Sequence, residues 1–341
     1  MFSFECDSLQ GAHPKVLEAL CKTNMISQPG YGADMWWKSA TEKIKAAFSA
    51  PDHDVYLLTG GTQTNALIID SLTRPYEGVI SADTGHINVH EAGAVEHTGH
   101  KVLALPHHDG KLDAADVKAY LETFYADGTW THMVKPGMVY VSHPTEYGTL
   151  YTADELRALS AVCKEYDMPL FLDGARLGYG LASNDTDVTP ALLAELCDVF
   201  YVGGTKVGAL CGEAVVFRPG LMPAQFATIV KQHGAMVAKG RLLGVQFDAL
   251  MTDGTYEKYG CHQNAMADKL REGLKAKGVQ LLCDTVTNQL FPVFTNEKVA
   301  QLEQQFGFHT WGAVGEDKMT IRLVTSWATK QEDVDAFLAA V

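Results

Sequence analysis

Two apolar runs constrain this chain more than anything else in it: LFLD, residues 170–173, and FYVGG, residues 200–204. Each is long enough for a strand buried on both faces, the pattern of a parallel sheet. The first ends in a carboxylate, Asp173, with the cation Arg176 close behind. The second runs into Gly203-Gly204-Thr205-Lys206. With one helix between the strands, an acid and a lysine stand at two strand ends. Taken singly, Asp173 reads equally well as a strand-end helix cap, and Lys206 as a solvated lysine. Together they suit a cofactor that needs a partner for a ring nitrogen and an amine for a Schiff base. Pyridoxal 5′-phosphate (PLP) is such a cofactor.

Size leaves room for that reading. A chain of 341 residues buries roughly 75% of its unfolded surface, enough for one large domain and a small one. The net charge of −14 comes from dispersed acidic residues with no polybasic block. That argues against a nucleic acid or an anionic membrane as partner. The apolar runs are far short of a membrane span. The start, MFSFECDS, is acidic where a secretory leader would be basic. Seven scattered cysteines without a CxxC pair read as reduced thiols of a cytoplasmic enzyme.

Along the chain, a polar arm holding Ser8 and Gly11 precedes a helix from Pro14 that should bury Val16, Leu17 and Leu20. PGYGADMWWK, residues 29–38, reads as a turn-rich loop whose aromatics pack locally or meet a second subunit. Residues 55–72 read strand, Gly60-Gly61-Thr62 turn, helix. Glycines there let the backbone approach a ligand, and the free N–H groups of the helix start favour a phosphate. Residues 79–105 read strand, helix, strand, with His86 at the helix start. His90, Glu91, His97 and His100 lie close in sequence, but there is no HExxH spacing and no metal site is expected. In 138–166 a strand leads to the loop HPTEYGT, which holds His143 and Glu146, and then to a helix with a Thr152/Glu155 capping box. Thr189-Pro190 starts another helix. GEAVVF, residues 212–217, follows the Lys206 strand so closely that it should be antiparallel to it. Residues 221–252, with Lys231, Lys239 and Arg241, read as one long helical bridge out of the large domain. Beyond it come a helix at 258–277, strands near 280–282, 288–294 and 318–324, and a last helix at 330–340. Arg322 is a cation inside the apolar run MTIRLV and calls for an anion.

TGGTQTN, GHINVHEAGA, LFLDGARL, VGGTKVGA and IRLVTSWAT occur in that order. By these motifs the chain resembles the threonine aldolase and β-eliminating lyase family of fold-type-I PLP-dependent enzymes, over nearly its whole length. The resemblance implies an α/β fold of the aspartate-aminotransferase-like type. It has a mainly parallel central sheet and a smaller C-terminal α+β domain. The expected divisions are an arm at 1–14, a PLP-binding domain at 15–250 and a small domain at 251–341. It implies that Lys206 carries PLP and that Asp173 pairs with the pyridine nitrogen. Arg176 would lie near the ring hydroxyl and the substrate carboxylate. Gly61 and Thr62 would hold the phosphate, and His86 would stack on the ring. Ser8 and Arg322 would bind the carboxylate of a small amino-acid substrate. A lysine or arginine of the 231–241 stretch, with Lys231 and Lys239 the candidates, would reach a neighbouring subunit's phosphate in a homodimer or homotetramer with shared active sites. Family members carry a histidine near the substrate hydroxyl in the loop where this sequence places Glu146. The expected reaction is cleavage of a β-hydroxy-α-amino acid to glycine and an aldehyde. His86, Glu146 or a water would act as base, and β-elimination is the alternative. A protein of this fold that only binds PLP is the reading from another class.

Overall fold

Strands with no polar alternation need cover on both faces, and that is how the chain uses them. The computed structural model describes residues 2–341. Seven strands form one sheet in the order Asp54–Leu58, Glu213–Phe217, Val199–Gly203, Leu170–Asp173, Lys135–Ser142, Glu77–Ala82, Val102–Leu105. All point one way except Glu213–Phe217, which is antiparallel to both neighbours, as its short connection requires. The pleat sorts the side chains. Tyr140, Phe171 and Tyr201 face the helix Gly61–Leu72. Val141, Leu172 and Val202 face a second core with the helices Ala153–Glu165 and Arg241–Leu250. Because the parallel strands all end on one edge, Ser142, Asp173 and Gly203 come out together.

A smaller unit follows. Lys318–Val324 is the middle strand of a sheet, flanked by Val293–Thr295 and His309–Val314, with Gln289–Leu290 pairing at its far end. The helices Thr255–Ala276 and Gln331–Ala340 pack on it. Its core includes Phe4, and Phe2–Ser3 pair in parallel with Phe306–Gly307. The N-terminal arm is thus clamped into the C-terminal unit.

Several expectations need correction. Leu17 is 44% exposed, so the helix Pro14–Thr23 buries Val16 without it. Trp36 and Trp37 lie on a helix, Met35–Ala47, because Asp34 caps it by accepting the Trp37 N–H at 2.9 Å. The 79–105 connection holds two short helices, His86–Val89 and Ala94–His97, separated where Ala92 and Gly93 take positive φ. The bridge at 221–252 is two helices, Phe226–Gln232 and Arg241–Leu250, with positive-φ Gly234 in the break. The second packs against Met35–Ala47 inside the large unit. Residues 280–282 form no strand, only a bridge from Leu281 to Pro292, and Pro292 divides 288–294 into two strands. The helix Ala114–Ala126 had no counterpart in the sequence reading.

Candidate active site

The floor of the site is built on the strand ends. Asp173 Oδ2 accepts hydrogen bonds from the Tyr140 hydroxyl at 2.6 Å and Asn65 Nδ2 at 2.9 Å. Its Oδ1 accepts from the Tyr201 hydroxyl at 2.5 Å and the Ala175 N–H at 2.9 Å. Burial alone would raise the Asp173 pKa. The neighbouring His86 and these hydrogen bonds outweigh it and hold the group below its ordinary value. Asp173 is therefore an ionised carboxylate with no cation paired to it among the described residues, a fit for a protonated ring nitrogen.

Lys206 lies in the turn after Val199–Gly203, and its amine makes no hydrogen bond or ion pair among the described residues. Burial, then the charge of Arg176, lower its pKa, which favours the neutral amine a covalent link needs. Gly203 lets this turn pass close to the neighbouring backbone: a Cβ there would lie 2.5 Å from the Ala175 carbonyl oxygen. Across the cavity, Gly60 precedes the helix Gly61–Leu72, and no side chain caps that helix start. A Cβ on Gly60 would meet nothing within 4 Å, so the cup is open. The cavity, about 300 Å³, is lined by Gly60, Gly61, Thr62, Asp173, Lys206 and His86 among others. An open anion cup, an ionised acid and an unpaired amine in one cavity fit PLP.

His86 opens its short helix at the cavity wall. Its Nδ1 lies 2.8 Å from Oε1 of the buried Glu91. That oxygen also accepts from Asn65 Nδ2 at 2.8 Å, so one amide ties Glu91 to Asp173. Glu146 Oε1 accepts the His86 N–H at 2.9 Å and the Ser142 hydroxyl at 2.6 Å. Burial pushes the Glu146 carboxyl above its ordinary pKa. His143 is fully buried, accepts from the Tyr151 N–H at 3.3 Å, and lines neither cavity of the site.

Above the floor is a wider mouth of about 700 Å³, lined by Ser8, Arg176, Trp311 and Arg322 with Lys206 at its base. Arg176 is held by the arm: its Nε and Nη2 donate to the two Asp7 oxygens at 2.7 and 3.1 Å. Asn288 Nδ2 adds a third donor at 2.9 Å. Arg322 lies over the Trp311 ring and, among the described residues, its side chain donates only to the Glu5 carbonyl, at 3.2 Å, while its Nε is buried without a partner. Ser8 is exposed on the arm. Lys231 and Lys239 are exposed and line neither cavity, and Lys231 lies over the Tyr31 ring at 5.1 Å. Asp7, Asn65, Glu91, Tyr140, Tyr201 and Trp311 join the site with no role expected of them from sequence. A tyrosine inside an otherwise apolar strand was a usable signal, because a buried hydroxyl needs a partner.

A family model described as Beta-eliminating lyase matches residues 3–297. The chain belongs to the β-eliminating lyase family. It is similar to the low specificity L-threonine aldolase of Pseudomonas sp. (strain NCIMB 10558), at 31% identity covering 99% of this chain and 96% of the relative. A solved structure of Leishmania major threonine aldolase superposes with a TM-score of 0.96 at 42% identity, covering 99% and 98% of the two chains. A Thermus thermophilus aspartate aminotransferase, at 14% identity and a TM-score of 0.72, covers 100% of this chain and 90% of its own, and shares the fold. This β-eliminating lyase is thus a fold-type-I, PLP-dependent lyase, as its motifs implied. No helix among the described residues is long and apolar enough to cross a membrane.

Proposed function

We propose that this lyase cleaves a β-hydroxy-α-amino acid of the threonine or allo-threonine class to glycine and an aldehyde. The observation that carries the reading is the single cavity shared by Asp173, Lys206, His86 and the Gly60–Thr62 helix start. It adjoins a mouth that holds Arg322, whose Nε has no partner among the described residues. Likeness over full length to threonine aldolases supports the substrate class. Bound PLP supplies the electron sink that lets a bond at the substrate Cα break.

The chain's own residues supply the rest. Lys206 would hold the cofactor covalently, and Gly61 and Thr62 would take its phosphate. Asp173 would keep the ring nitrogen protonated, each pKa unit being worth about 1.36 kcal/mol. His86 would stack on the ring, and Arg176 would lie by the ring hydroxyl. Arg322, with Ser8, would grip the substrate carboxylate, a charge-assisted contact of about 1.5–3 kcal/mol. That grip decides which bond at Cα is aligned to break. His86 would take the β-hydroxyl proton: a carboxylate at Nδ1 places the ring proton there and leaves Nε2 as acceptor. The hydrogen bonds on Glu146 Oε1 suit a residue that holds the His86 turn. A second reading, with Glu146 as the base, has its own support, since its other oxygen makes no hydrogen bond among the described residues and burial raises its pKa.

The test is a panel of β-hydroxy amino acids and amino acids with a β-leaving group. Glycine and aldehyde in equal amounts are expected from the first set. Pyruvate and ammonia from the second set alone would move the chain to β-elimination. We also infer a cytoplasmic protein working at least as a homodimer. Seven unpaired cysteines support the first inference. The exposed Tyr31, beside the exposed Lys231, supports the second. Light scattering on the active enzyme checks the oligomer.

A further inference from the structure

The strand order brings one more acid into the cavity. Glu213 opens the strand Glu213–Phe217, and its Cα is paired with Leu58 on one side and Gly203 on the other. The first neighbour runs on into Gly60-Gly61-Thr62, the second into Gly204-Thr205-Lys206. The pleat sets Glu213 on the face of Val215, Tyr201 and Leu58, beneath the helix Gly61–Leu72. The residue is 3% exposed. Its Oε1 accepts the Thr205 hydroxyl at 2.8 Å, and that hydroxyl accepts the Gly212 N–H at 3.0 Å. Its Oε2 is buried with no hydrogen-bond partner among the described residues, and the residue lines the cavity with Gly61 and Thr62. An ionised carboxylate placed so would leave a buried charge unsatisfied and repel any anion at the cup. A carboxylic acid instead offers one O–H donor.

We propose that Glu213 is a phosphate-binding residue that works in its protonated form, donating a hydrogen bond from Oε2 to a phosphate oxygen at the Gly60–Thr62 helix start. The inference rests on the PLP reading above and adds a contact to it. No bond is made or broken, and the proton stays on Glu213. The titratable groups facing the carboxyl are Lys206, Asp173, Tyr201, Tyr256 and Cys211. Burial has the largest effect and pushes the carboxyl up to about 8, against the opposing pull of Thr205 and Lys206. The acid form therefore prevails at neutral pH and is lost above it.

The test is the affinity of the apo-enzyme for PLP, and for pyridoxal as the phosphate-free control, at pH 6.5 and pH 9. Wild type is compared with Glu213→Gln, whose amide donates at either pH. From the lower to the higher pH, wild type should lose about tenfold more PLP affinity than the variant, because Glu213 must regain its proton to bind. Pyridoxal should show no such difference. Parallel PLP profiles, or the same difference with pyridoxal, overturn the assignment of Glu213 alone. Wild type that takes up no PLP at either pH overturns the cofactor reading as well. Should Glu213→Gln not fold, Glu213→Ser, also a neutral donor, is judged by the same criterion.

Discussion

The floor and the mouth of the site are built on opposite terms. On the floor, Asp173 has four hydrogen-bond donors on its two oxygens, supplied by Tyr140, Asn65, Tyr201 and Ala175. All lie on the sheet, the turn beyond it or the helix packed on it. In the mouth, Arg322 has a single backbone acceptor and a buried Nε with none. Its neighbours come from the arm and the small unit. Around Asp173 the floor is finished before any ligand arrives, which minimises reorganisation about the cofactor ring, whereas the Lys206 amine and Glu213 Oε2 stay open. The mouth is left incomplete, so that a substrate carboxylate completes it. Groups of the floor should therefore govern kcat and cofactor state, and groups of the mouth should govern substrate affinity.

That division can be broken by experiment. The largest effect is expected at Lys206: Lys206→Ala should lower kcat by ~10⁴-fold or more and abolish the borohydride-fixed cofactor peptide. Substantial turnover would place the covalent link elsewhere. Next, His86→Gln should cut kcat for aldol cleavage by ~10²–10⁴-fold with little change in KM, while Glu146→Gln should cost less. The reverse ranking in steady-state kinetics would make Glu146 the base. Arg322→Ala should lower kcat/KM by ~10–150-fold, through KM, the loss of one charge-assisted contact. Its PLP absorbance should be that of wild type, and a variant that loses PLP would erase the line between floor and mouth. The smallest effect lies behind the floor and touches stability only. Burial pushes the His143 pKa down to about 4. Between that value and the ordinary 6.5 the unfolded chain binds the extra proton, so stability rises with pH across this window and is complete above it. His143→Gln should flatten the rise, worth up to ~3 kcal/mol. Urea unfolding at pH 4.5 and 7.5 measures it, and parallel profiles would assign the acid loss to another group.

The sequence showed the floor more readily than the mouth, for a physical reason. Asp173, Lys206 and Gly60-Gly61-Thr62 sit at junctions of strand and helix, where apolar runs stop abruptly, and such junctions are local events. Asp7 had no local signature. Its role comes from Arg176 and Asn288, which lie 169 and 281 residues away. Glu213 was hidden because its meaning depends on two strands it pairs with across the sheet. Trp311 lies on His309–Val314, a largely exposed strand that has no buried residue and so lacks a buried apolar run. The single helix expected at 221–252 failed at Gly234 and its neighbours, where helical periodicity on both sides concealed a turn.

The clamped arm bears on the order of events during synthesis. Phe4 accepts the Val324 N–H at 2.9 Å, and Asp7 waits for Asn288. These partners leave the ribosome long after the central sheet has had its strands, at about 5–20 residues per second. The nascent large unit can therefore assemble Asp173, Lys206 and the glycine cup while the arm is still unplaced and Arg176 lacks its Asp7 partner. A chain stalled short of residue 288 would be expected to capture the cofactor yet leave substrate unrecognised.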